Sequence, residues 1–236
     1  MSSPLPTERT AVVTGGASPR GIGRATADRL AGDGWSVAIL DIDEAAAKLT
    51  ADEVAEKYSV STLGVGADVS DENSVHAAIA QLESALPPII GLANIAGVSS
   101  PTEFLDVTPA EWDRVFNVNM RGTFLVTQRV LPAMIAAGAG RIVSVSSISA
   151  QRGGGTFSKV PYSASKAAVI GFSRALAREV GQHNITGELC GTRADRHRHH
   201  GWHADRRAQG ADECRHPPGP GRHRPRGRRP TVLPDE

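Results

Sequence analysis

Tyr162 and Lys166 stand four residues apart at the start of a predicted helix, so their side chains lie on one face of it. A phenol has a pKa of about 10 and is a poor base at neutral pH, but a nearby ammonium group favours the phenolate form. Tyr162 could therefore exchange a proton with a hydroxyl group while a hydride moves to or from a nicotinamide ring. A Tyr-x-x-x-Lys pair on its own is usually an ordinary surface feature, so the surrounding sequence has to support this chemistry.

Ser147 supplies a hydroxyl group that could act beside this pair. It ends the run 141–147, which is typical of a strand. Its side chain would therefore project at the carboxyl edge of a sheet, where ligands bind in open α/β folds. The alternative for Ser147 is a serine that caps a helix or stabilises a turn.

A glycine-rich turn, residues 14–23, joins the first predicted strand to the first predicted helix. Glycines allow a sharp turn and a close approach to a pyrophosphate, whose charge is stabilised by backbone amides and by the dipole at the helix N-terminus. Glycine clusters also occur in ordinary turns, but this one ends the first strand of an α/β pattern. We therefore predict a dinucleotide site that contains Gly15, Ser18, Arg20, Gly21, Ile22 and Gly23.

Asp41 ends the second predicted strand, 18 residues beyond Gly23. A carboxylate at this point can bond the adenosine ribose hydroxyls and repel a 2′-phosphate, so NAD is predicted as the cofactor rather than NADP. Arg20 in the glycine-rich turn could attract a 2′-phosphate, which keeps NADP as the alternative. The other role open to Asp41 is that of a helix N-cap or turn residue.

Short β-rich runs alternate with longer helical segments from residue 10 onward, which is the pattern of βαβ units around a parallel sheet. Several runs are apolar almost throughout, as in strands that are covered on both faces. Right-handed crossovers then give an α/β fold, a doubly wound parallel sheet in one Rossmann-like domain. The predicted strands are 10–14, 36–40, 61–65, 89–97 and 141–147, and the predicted helices are about 21–33, 43–57, 71–85, 109–137 and 162–181.

In their order along the chain, these motifs resemble the short-chain dehydrogenase/reductase family. The resemblance covers residues 10–186 and is highly specific because all the motifs occur together. The motifs are the glycine-rich turn, Asp68-Val69 after the third strand, Asn94-Ile95-Ala96-Gly97 after the fourth, Asn117-Val118-Asn119 in the long helix, Ser146-Ser147 and Tyr162-x-x-x-Lys166.

The resemblance implies a role for each of four catalytic residues. Ser147 would orient a carbonyl group and Tyr162 would be the acid/base. Lys166 would tune Tyr162 and bond the nicotinamide ribose, and Asn119 would hold a water molecule that relays protons. The family spacing from serine to tyrosine would instead favour Ser149, but Ser147 is preferred because it directly ends the strand.

The resemblance also implies further cofactor contacts. Asp68 and Val69 would flank the adenine, whereas Asn94, Ala96 and Gly97 would line the cofactor, with Tyr162 and Lys166 beside the nicotinamide. For Asp68 and Asn94, a turn or cap residue is the alternative. The glycine-rich turn has five residues between Gly15 and Gly21 where the family usually has three, so the segment around Ser18 and Arg20 is expected to bulge.

Residues 187–236 differ in composition from the rest of the chain. They contain 11 Arg, 6 His and 6 Pro but no Lys, Ile, Phe, Met or Tyr, and they show no helical or strand periodicity. Shifting a permitted back-translation of residues 187–208 by one nucleotide gives VNCVAPGLIDTDITGGMLTDER, which would supply the strand and Pro-Gly turn that the fold needs. We therefore predict a frameshift after about residue 186; a disordered tail without a frameshift and a nucleic-acid-binding arm are the alternatives.

This division gives an incomplete catalytic domain at 1–186 and an aberrant tail at 187–236. Without the sixth and seventh strands one sheet edge would be uncovered, so poor stability and little activity are expected of this chain. The rival function is a catalytically impaired dinucleotide-binding or scaffold protein.

The remaining composition bears on location and partners. The net charge is +1, both cysteines (Cys190 and Cys214) lie outside 1–186, and no apolar run is long enough to span a bilayer. We expect a cytoplasmic enzyme that acts on a small alcohol or ketone. No metal site, nucleic-acid partner or membrane partner is expected, and the intact gene product would form a homotetramer or homodimer.

Overall fold

The computed structural model of this chain describes residues 5–192. The frameshift and disorder predictions for 193–236 therefore lie outside the described residues. What the structure does describe is an α/β fold with a parallel sheet between two layers of helices, as the alternating sequence pattern predicts.

Six parallel strands form the sheet, in the order β3-β2-β1-β4-β5-β6. The order reverses between β1 and β4, and in doubly wound sheets the ligand crevice lies at such a point, outside the carboxyl ends of the strands. The strands are β1 (Thr10–Thr14), β2 (Ser36–Asp41), β3 (Thr62–Gly66), β4 (Ile89–Asn94), β5 (Gly140–Ser147) and β6 (Ile185–Thr192).

Seven α-helices connect the described strands, and most match the predicted helical segments. The predicted helix at 109–137 differs, because a π-helical turn at Asn117–Arg121 divides it. Such turns often occur at functional sites. The α-helices are α1 (Ile22–Gly32), α2 (Glu44–Tyr58), α3 (Glu72–Ala85), α4 (Pro109–Phe116), α5 (Gly122–Ala137), α6 (Ser149–Arg152) and α7 (Val160–Val180), with short 3₁₀ turns at Phe104–Asp106 and Gly181–His183.

The central strands are buried on both faces, which explains their continuous apolar sequence. Every residue of β1 and β4 is buried. Val12 and Leu92 pack into the core on one side of the sheet, whereas Val13 and Ala93 pack into the core on the other. Strand β4 ends at Asn94, so the predicted strand at 89–97 is three residues too long, and the released segment is free to form part of the site.

The sixth strand is present, although the composition of residues 187–236 predicts that it is missing. β6 pairs with β5 over its whole length, from Gly140 opposite Ile185 to Ser147 opposite Thr192, and so continues past the boundary predicted at residue 186. A parallel ladder is formed by backbone groups, so it does not require a side-chain period, and the buried Ile185 anchors its start in the core. The outer edge of β5 is therefore covered. No seventh strand follows within residues 5–192.

Within residues 5–192, none of the helices is long and apolar enough to cross a membrane.

Candidate functional site

The ends of β1 and β4 are joined by Thr14, which is not among the predicted site residues. The Thr14 hydroxyl oxygen accepts hydrogen bonds from the amides of Ile95 (3.0 Å) and Ala96 (3.1 Å). The glycine-rich turn after β1 is thereby fixed against the segment after β4, and both lie at the reversal point of the sheet. Its position at the end of a strand, directly before the first glycine, is the only sequence signal for this role.

The glycines of the turn are required by close packing. Gly15 has a φ of +69°, and a Cβ atom there would lie 2.8 Å from the Cα atom of Ala96. A Cβ atom at Gly23 would lie 2.3 Å from the Gly15 carbonyl oxygen. Any side chain would force the turn apart at these two positions, so glycine is required for the close approach of α1 to β1.

The start of α1 presents backbone rather than side chains. Gly21 is the N-cap residue and makes no side-chain cap hydrogen bond, so the first helical amides keep their donor capacity for an anion. The extra residues of the turn are held by a hydrogen bond from the Gly21 amide to the Ser18 carbonyl oxygen (2.9 Å). Ser18, Arg20 and Ile22 are exposed around this turn. Their contacts with a cofactor stay a prediction.

Asp41 lies beside the glycine-rich turn. One of its carboxylate oxygens accepts a hydrogen bond from the Ala17 amide (3.0 Å), and the other from the Asp43 amide (3.3 Å). The N-cap of α2 is Asp43 and not Asp41, because the Asp43 side chain accepts from the Ala46 amide. The capping alternative for Asp41 is therefore wrong, although the contact with Asp43 shows that Asp41 does stabilise a turn.

Asp68 and Val69 follow β3 at the same edge of the sheet. Asp68 Oδ1 accepts hydrogen bonds from the amide (2.9 Å) and hydroxyl (2.7 Å) of Ser70, which is the turn role given as the alternative for this residue. Val69 is buried, and a Cβ atom at Gly122 would lie 2.7 Å from its side chain. The Val69 side chain thus packs against the start of α5, and contacts of either residue with an adenine stay predictions.

Asn94, Ala96 and Gly97 lie at different depths. The Asn94 side chain points into the core, where its amide nitrogen donates to Thr127 (2.9 Å) and Ser144 (3.4 Å) and so links β4 to α5 and β5. The Ala96 backbone packs against Gly15 so closely that a Cβ atom at Gly15 would lie 2.8 Å from the Ala96 Cα atom. Gly97 is exposed, and a Cβ atom there would lie 3.4 Å from the Lys166 ammonium nitrogen. Gly97 therefore leaves room in front of Lys166.

Lys166 is buried at the junction of β5 and α7. Only 4% of its surface is exposed, and its ammonium nitrogen donates to the Val145 carbonyl oxygen (2.8 Å). That nitrogen lies 5.9 Å from the centre of the Tyr162 ring. Burial lowers the pKa of Lys166 to about 8, because the charged form loses its hydration. The predicted pair is thus brought together, with the cation held at the sheet edge.

Ser147 ends β5 next to this pair. It is buried, and its hydroxyl oxygen accepts a hydrogen bond from the Ser149 amide (3.2 Å). The neighbouring Ser146 hydroxyl donates to the Lys166 carbonyl oxygen (2.8 Å), so the end of β5 is fixed against the first turns of α7. The Ser149 hydroxyl is instead hydrogen-bonded to that of Ser158 (3.0 Å). The structure therefore places Ser147, and not Ser149, at the end of β5, and the role of Ser147 towards a substrate stays a prediction.

Asn119 lies in the π-helical turn, fully buried. Its side chain clamps Val98 from both sides: Oδ1 accepts from the Val98 amide (2.8 Å) and Nδ2 donates to the Val98 carbonyl oxygen (3.0 Å). Nδ2 also donates to the Ser165 hydroxyl (3.0 Å), one residue before Lys166. The Asn119 side chain therefore links the segment after β4 to the start of α7. The water relay implied by the resemblance stays a prediction.

Glu111 forms a second polar centre and is not among the predicted site residues. Its Oε1 atom accepts hydrogen bonds from the hydroxyls of Ser100 (2.8 Å) and Thr102 (2.8 Å), in the segment after β4. These two hydrogen bonds, from Ser100 first and then Thr102, lower the pKa of Glu111 below its usual value, so the group is a carboxylate at neutral pH. The Thr108-x-x-Glu111 spacing predicts only a capping box, in which the glutamate contacts the start of its own helix. The sequence therefore does not predict the hydrogen bonds of Glu111 with Ser100 and Thr102.

No cluster of three or more His, Cys, Asp or Glu side chains that could bind a metal ion exists within residues 5–192. The contacts described above for the site involve hydroxyl groups, backbone amides, carboxylates and one buried ammonium group.

Comparison with known proteins gives consistent results. A family model described as short chain dehydrogenase matches residues 9–191. The chain is 43% identical over 177 residues to an uncharacterized short-chain type dehydrogenase/reductase of Sinorhizobium fredii, covering 75% of this chain and 70% of that protein. It is 39% identical to a 3-oxoacyl-[acyl-carrier-protein] reductase of Aquifex aeolicus, with the same coverage. The crystal structure of a 3-ketoacyl-ACP reductase from Sinorhizobium meliloti superposes with a TM-score of 0.72 at 35% identity, covering 77% of this chain and 70% of that one.

Proposed function

This chain belongs to the short chain dehydrogenase family, and we propose that it transfers a hydride between NAD(H) and a secondary alcohol or the corresponding ketone. The proposal depends most on one observation: the buried Lys166 ammonium group lies 5.9 Å from the centre of the Tyr162 ring. Burial of a cation is costly because the charged group loses its hydration. In this position the ammonium group can favour the phenolate form of a proton-transferring tyrosine.

Each side chain then has one task. The Tyr162 hydroxyl gives a proton to the ketone oxygen during reduction and takes it back during oxidation. Lys166 stabilises negative charge on the phenol oxygen, and its place at the end of β5 keeps that charge at the carboxyl edge of the sheet. The Ser147 hydroxyl donates a hydrogen bond to the same substrate oxygen and so fixes its position.

The family typically uses nicotinamide dinucleotides, and the residues present fit such a cofactor. Gly15 and Gly23 give the close backbone approach that a pyrophosphate requires, and the uncapped start of α1 offers amides to its charge. When bound, NAD(H) supplies or accepts the hydride. Asp41, whose carboxylate faces the turn at the Ala17 amide, supports NAD rather than NADP because it would repel a 2′-phosphate.

We propose a 3-oxoacyl thioester, or its 3-hydroxy form, as the substrate class. Two named relatives reduce 3-oxoacyl groups on an acyl carrier protein. In this chain, the segment after β4 is in contact with the segment that leads into α7. Both segments expose large apolar side chains beside the site, on which an acyl chain could lie. They are Phe104, Leu105, Phe157 and Val160.

The test is consumption of NADH by the purified 236-residue protein with acetoacetyl-CoA, in parallel with simple ketones. Tyr162→Phe and Ser147→Ala are expected to lose turnover while still binding NADH, whereas Ser149→Ala, the matched control, keeps it. Turnover that survives Tyr162→Phe would refute the proposed chemistry. NADH binding without turnover in the unaltered chain would favour the rival, a catalytically impaired dinucleotide-binding protein.

We also propose a cytoplasmic location and a symmetric homo-oligomer. The location is supported by the absence of cysteine from residues 1–186, which suits a reducing compartment. The oligomer is supported by an apolar hollow of about 330 Å³ lined by α4, α5, α7 and the π-helical turn, with Phe116, Phe124 and Phe172 among its residues. Sedimentation of the wild type and of Phe124→Glu tests it, since the charged variant should be monomeric.

A further inference from the structure

The segment after β4 is joined to the segment before α7 by several hydrogen bonds. We call residues 98–103 and 157–159 together the seam. The Lys159 amide donates to the Ser100 carbonyl oxygen (2.8 Å), the Ser99 hydroxyl donates to the Phe157 carbonyl oxygen, and the Lys159 ammonium group bonds Glu103 (2.6 Å). These contacts involve segments that are more than 50 residues apart in sequence.

The seam ends where α7 begins. Lys159 is the N-cap residue of α7, and its carbonyl oxygen accepts the hydrogen bond of the Ser163 amide (3.0 Å). The Lys159 side chain makes no cap hydrogen bond, so no side chain of the cap residue fixes this first turn. Tyr162 lies between Lys159 and Ser163 in that turn. Ser146 and Asn119 hold the next turn through Lys166 and Ser165. The Ser100 carbonyl oxygen holds the first turn through the Lys159 amide, so the position of Tyr162 depends on this last contact as well.

Ser100 is in turn held by Glu111. Ser100 is fully buried, and its hydroxyl group donates a hydrogen bond to Glu111 Oε1. The same oxygen also accepts a hydrogen bond from the Thr102 hydroxyl group. A capping-box glutamate would use its carboxylate on the N-cap amide of its own helix. Glu111 does complete half of such a box, since its amide donates to Thr108 (3.2 Å), but its carboxylate is bonded to the seam.

We propose that Glu111 is a positioning residue for the reaction: acting through Ser100 and Lys159, it fixes the first turn of α7 and with it the phenol group of Tyr162. This inference rests on the proposed function, in which Tyr162 transfers the proton. The opposite end of the seam is already fixed by Asn119, which clamps Val98. Glu111 thus supplies the second anchor, and a charged acceptor makes the stronger kind of hydrogen bond.

The first measurement is hydrogen exchange of the backbone amides in the full chain, with no substrate present. Glu111→Ala should speed exchange of the Lys159 and Ser163 amides about tenfold, as expected on loss of a hydrogen bond to a charged group. Amides in the second half of α7, residues 170–180, should be unaffected. Glu111→Gln keeps an oxygen acceptor and should restore most of the protection. Asp113→Ala, which removes an exposed acid from the same helix, is the matched control.

The second measurement is steady-state kinetics of the same variants. A misplaced phenol should lower kcat of Glu111→Ala about tenfold to a hundredfold, with little change in the Kd for NADH, and Ser100→Ala should act in the same direction. In the double variant Ser100→Ala/Glu111→Ala, the rise in activation free energy should be smaller than the sum of the rises in the two single variants, because both remove the same Ser100–Glu111 hydrogen bond.

The outcomes separate this proposal from the proposed function. Full turnover in Tyr162→Phe refutes the reaction assigned to the site, whatever the exchange data show. If Tyr162→Phe is inactive but Glu111→Ala keeps kcat within about twofold of Asp113→Ala, the positioning role is overturned alone. It is also overturned if Glu111→Ala speeds exchange equally throughout α7 and weakens NADH binding in parallel with kcat, because Glu111 would then support only the general stability of the fold.

Discussion

Replacing Lys166 by methionine should make the fold more stable while it abolishes turnover. Lys166 is 4% exposed, and burial lowers its pKa to about 8, compared with about 10.4 for an exposed lysine. At about 1.4 kcal/mol for each pKa unit, holding the ammonium form inside the fold costs about 3 kcal/mol at neutral pH. Methionine fills a similar volume and carries no charge.

The gain is partly offset by the hydrogen bond that is lost. The Lys166 ammonium group donates to the Val145 carbonyl oxygen, and leaving that oxygen without this donor costs about 1 to 2 kcal/mol. The expected net stabilisation at pH 7 is therefore about 1 to 2 kcal/mol. For a domain of this size, that raises Tm by about 4 °C.

The pH dependence gives the sharper test. Between about pH 8 and pH 10.4 the unfolded chain keeps the Lys166 proton that the folded chain has lost, so the wild type becomes more stable as pH rises. The advantage of Lys166→Met is thus complete below pH 8 and shrinks above it. Urea unfolding from about pH 6 to pH 10 measures this difference. Lys48→Met is the control, because the Lys48 side chain is 57% exposed on α2.

Two results would contradict the reasoning. Lys166→Met could prove less stable than the wild type at pH 7, which would mean that the ammonium group stabilises the fold. Alternatively, the difference in unfolding free energy could be constant across the pH range, which would mean that the Lys166 pKa is the same in the folded and unfolded chains.

Three further predictions concern the cofactor and the tail. Gly23→Ala should abolish NADH binding, measured by fluorescence, because its Cβ atom would lie 2.3 Å from the Gly15 carbonyl oxygen; Gly171→Ala, with open space around it, should bind normally, and equal binding by both variants would contradict the packing argument. Asp41→Ser should shift the ratio of NADH to NADPH affinity about tenfold towards NADPH by removing a charge that repels the 2′-phosphate, and an unchanged ratio would remove Asp41 from cofactor choice. Resequencing the gene around codons 185–190 should reveal a one-nucleotide shift, and the corrected protein should turn over faster than this chain; an identical sequence would refute the frameshift.

The fold could be predicted from sequence where a single physical signal dominates. The continuous apolar runs at β1 and β4 indicate strands buried on both faces, and the structure confirms this prediction. The glycines after β1 predict a sharp turn, which agrees with the φ of +69° at Gly15, whereas pyrophosphate binding by this turn stays a prediction. The Tyr162 and Lys166 pair could be predicted because a helix places residues four apart on one face.

Other features depend on contacts between distant segments, which leave little trace in the local sequence. β6 was missed because its backbone ladder with β5 requires no apolar period in residues 187–192. The contacts of the Asn119 side chain with Val98 and Ser165 are apparent only in the folded chain, because both partners are distant in sequence. Thr14 and Glu111 likewise act through partners about 80 and about 10 residues away, and their own neighbourhoods predict only a strand end and a helix cap.

The most direct test of the proposed reaction follows the hydride itself. The full chain is incubated with a 3-oxoacyl thioester and NADH that carries deuterium at the transferred position, and the product is analysed by mass spectrometry. We predict deuterium at the carbon of the new hydroxyl group with the wild type and none with Tyr162→Phe. Label in the product of Tyr162→Phe at the wild-type rate, or a hydroxy product without deuterium, would contradict the assignment of this site.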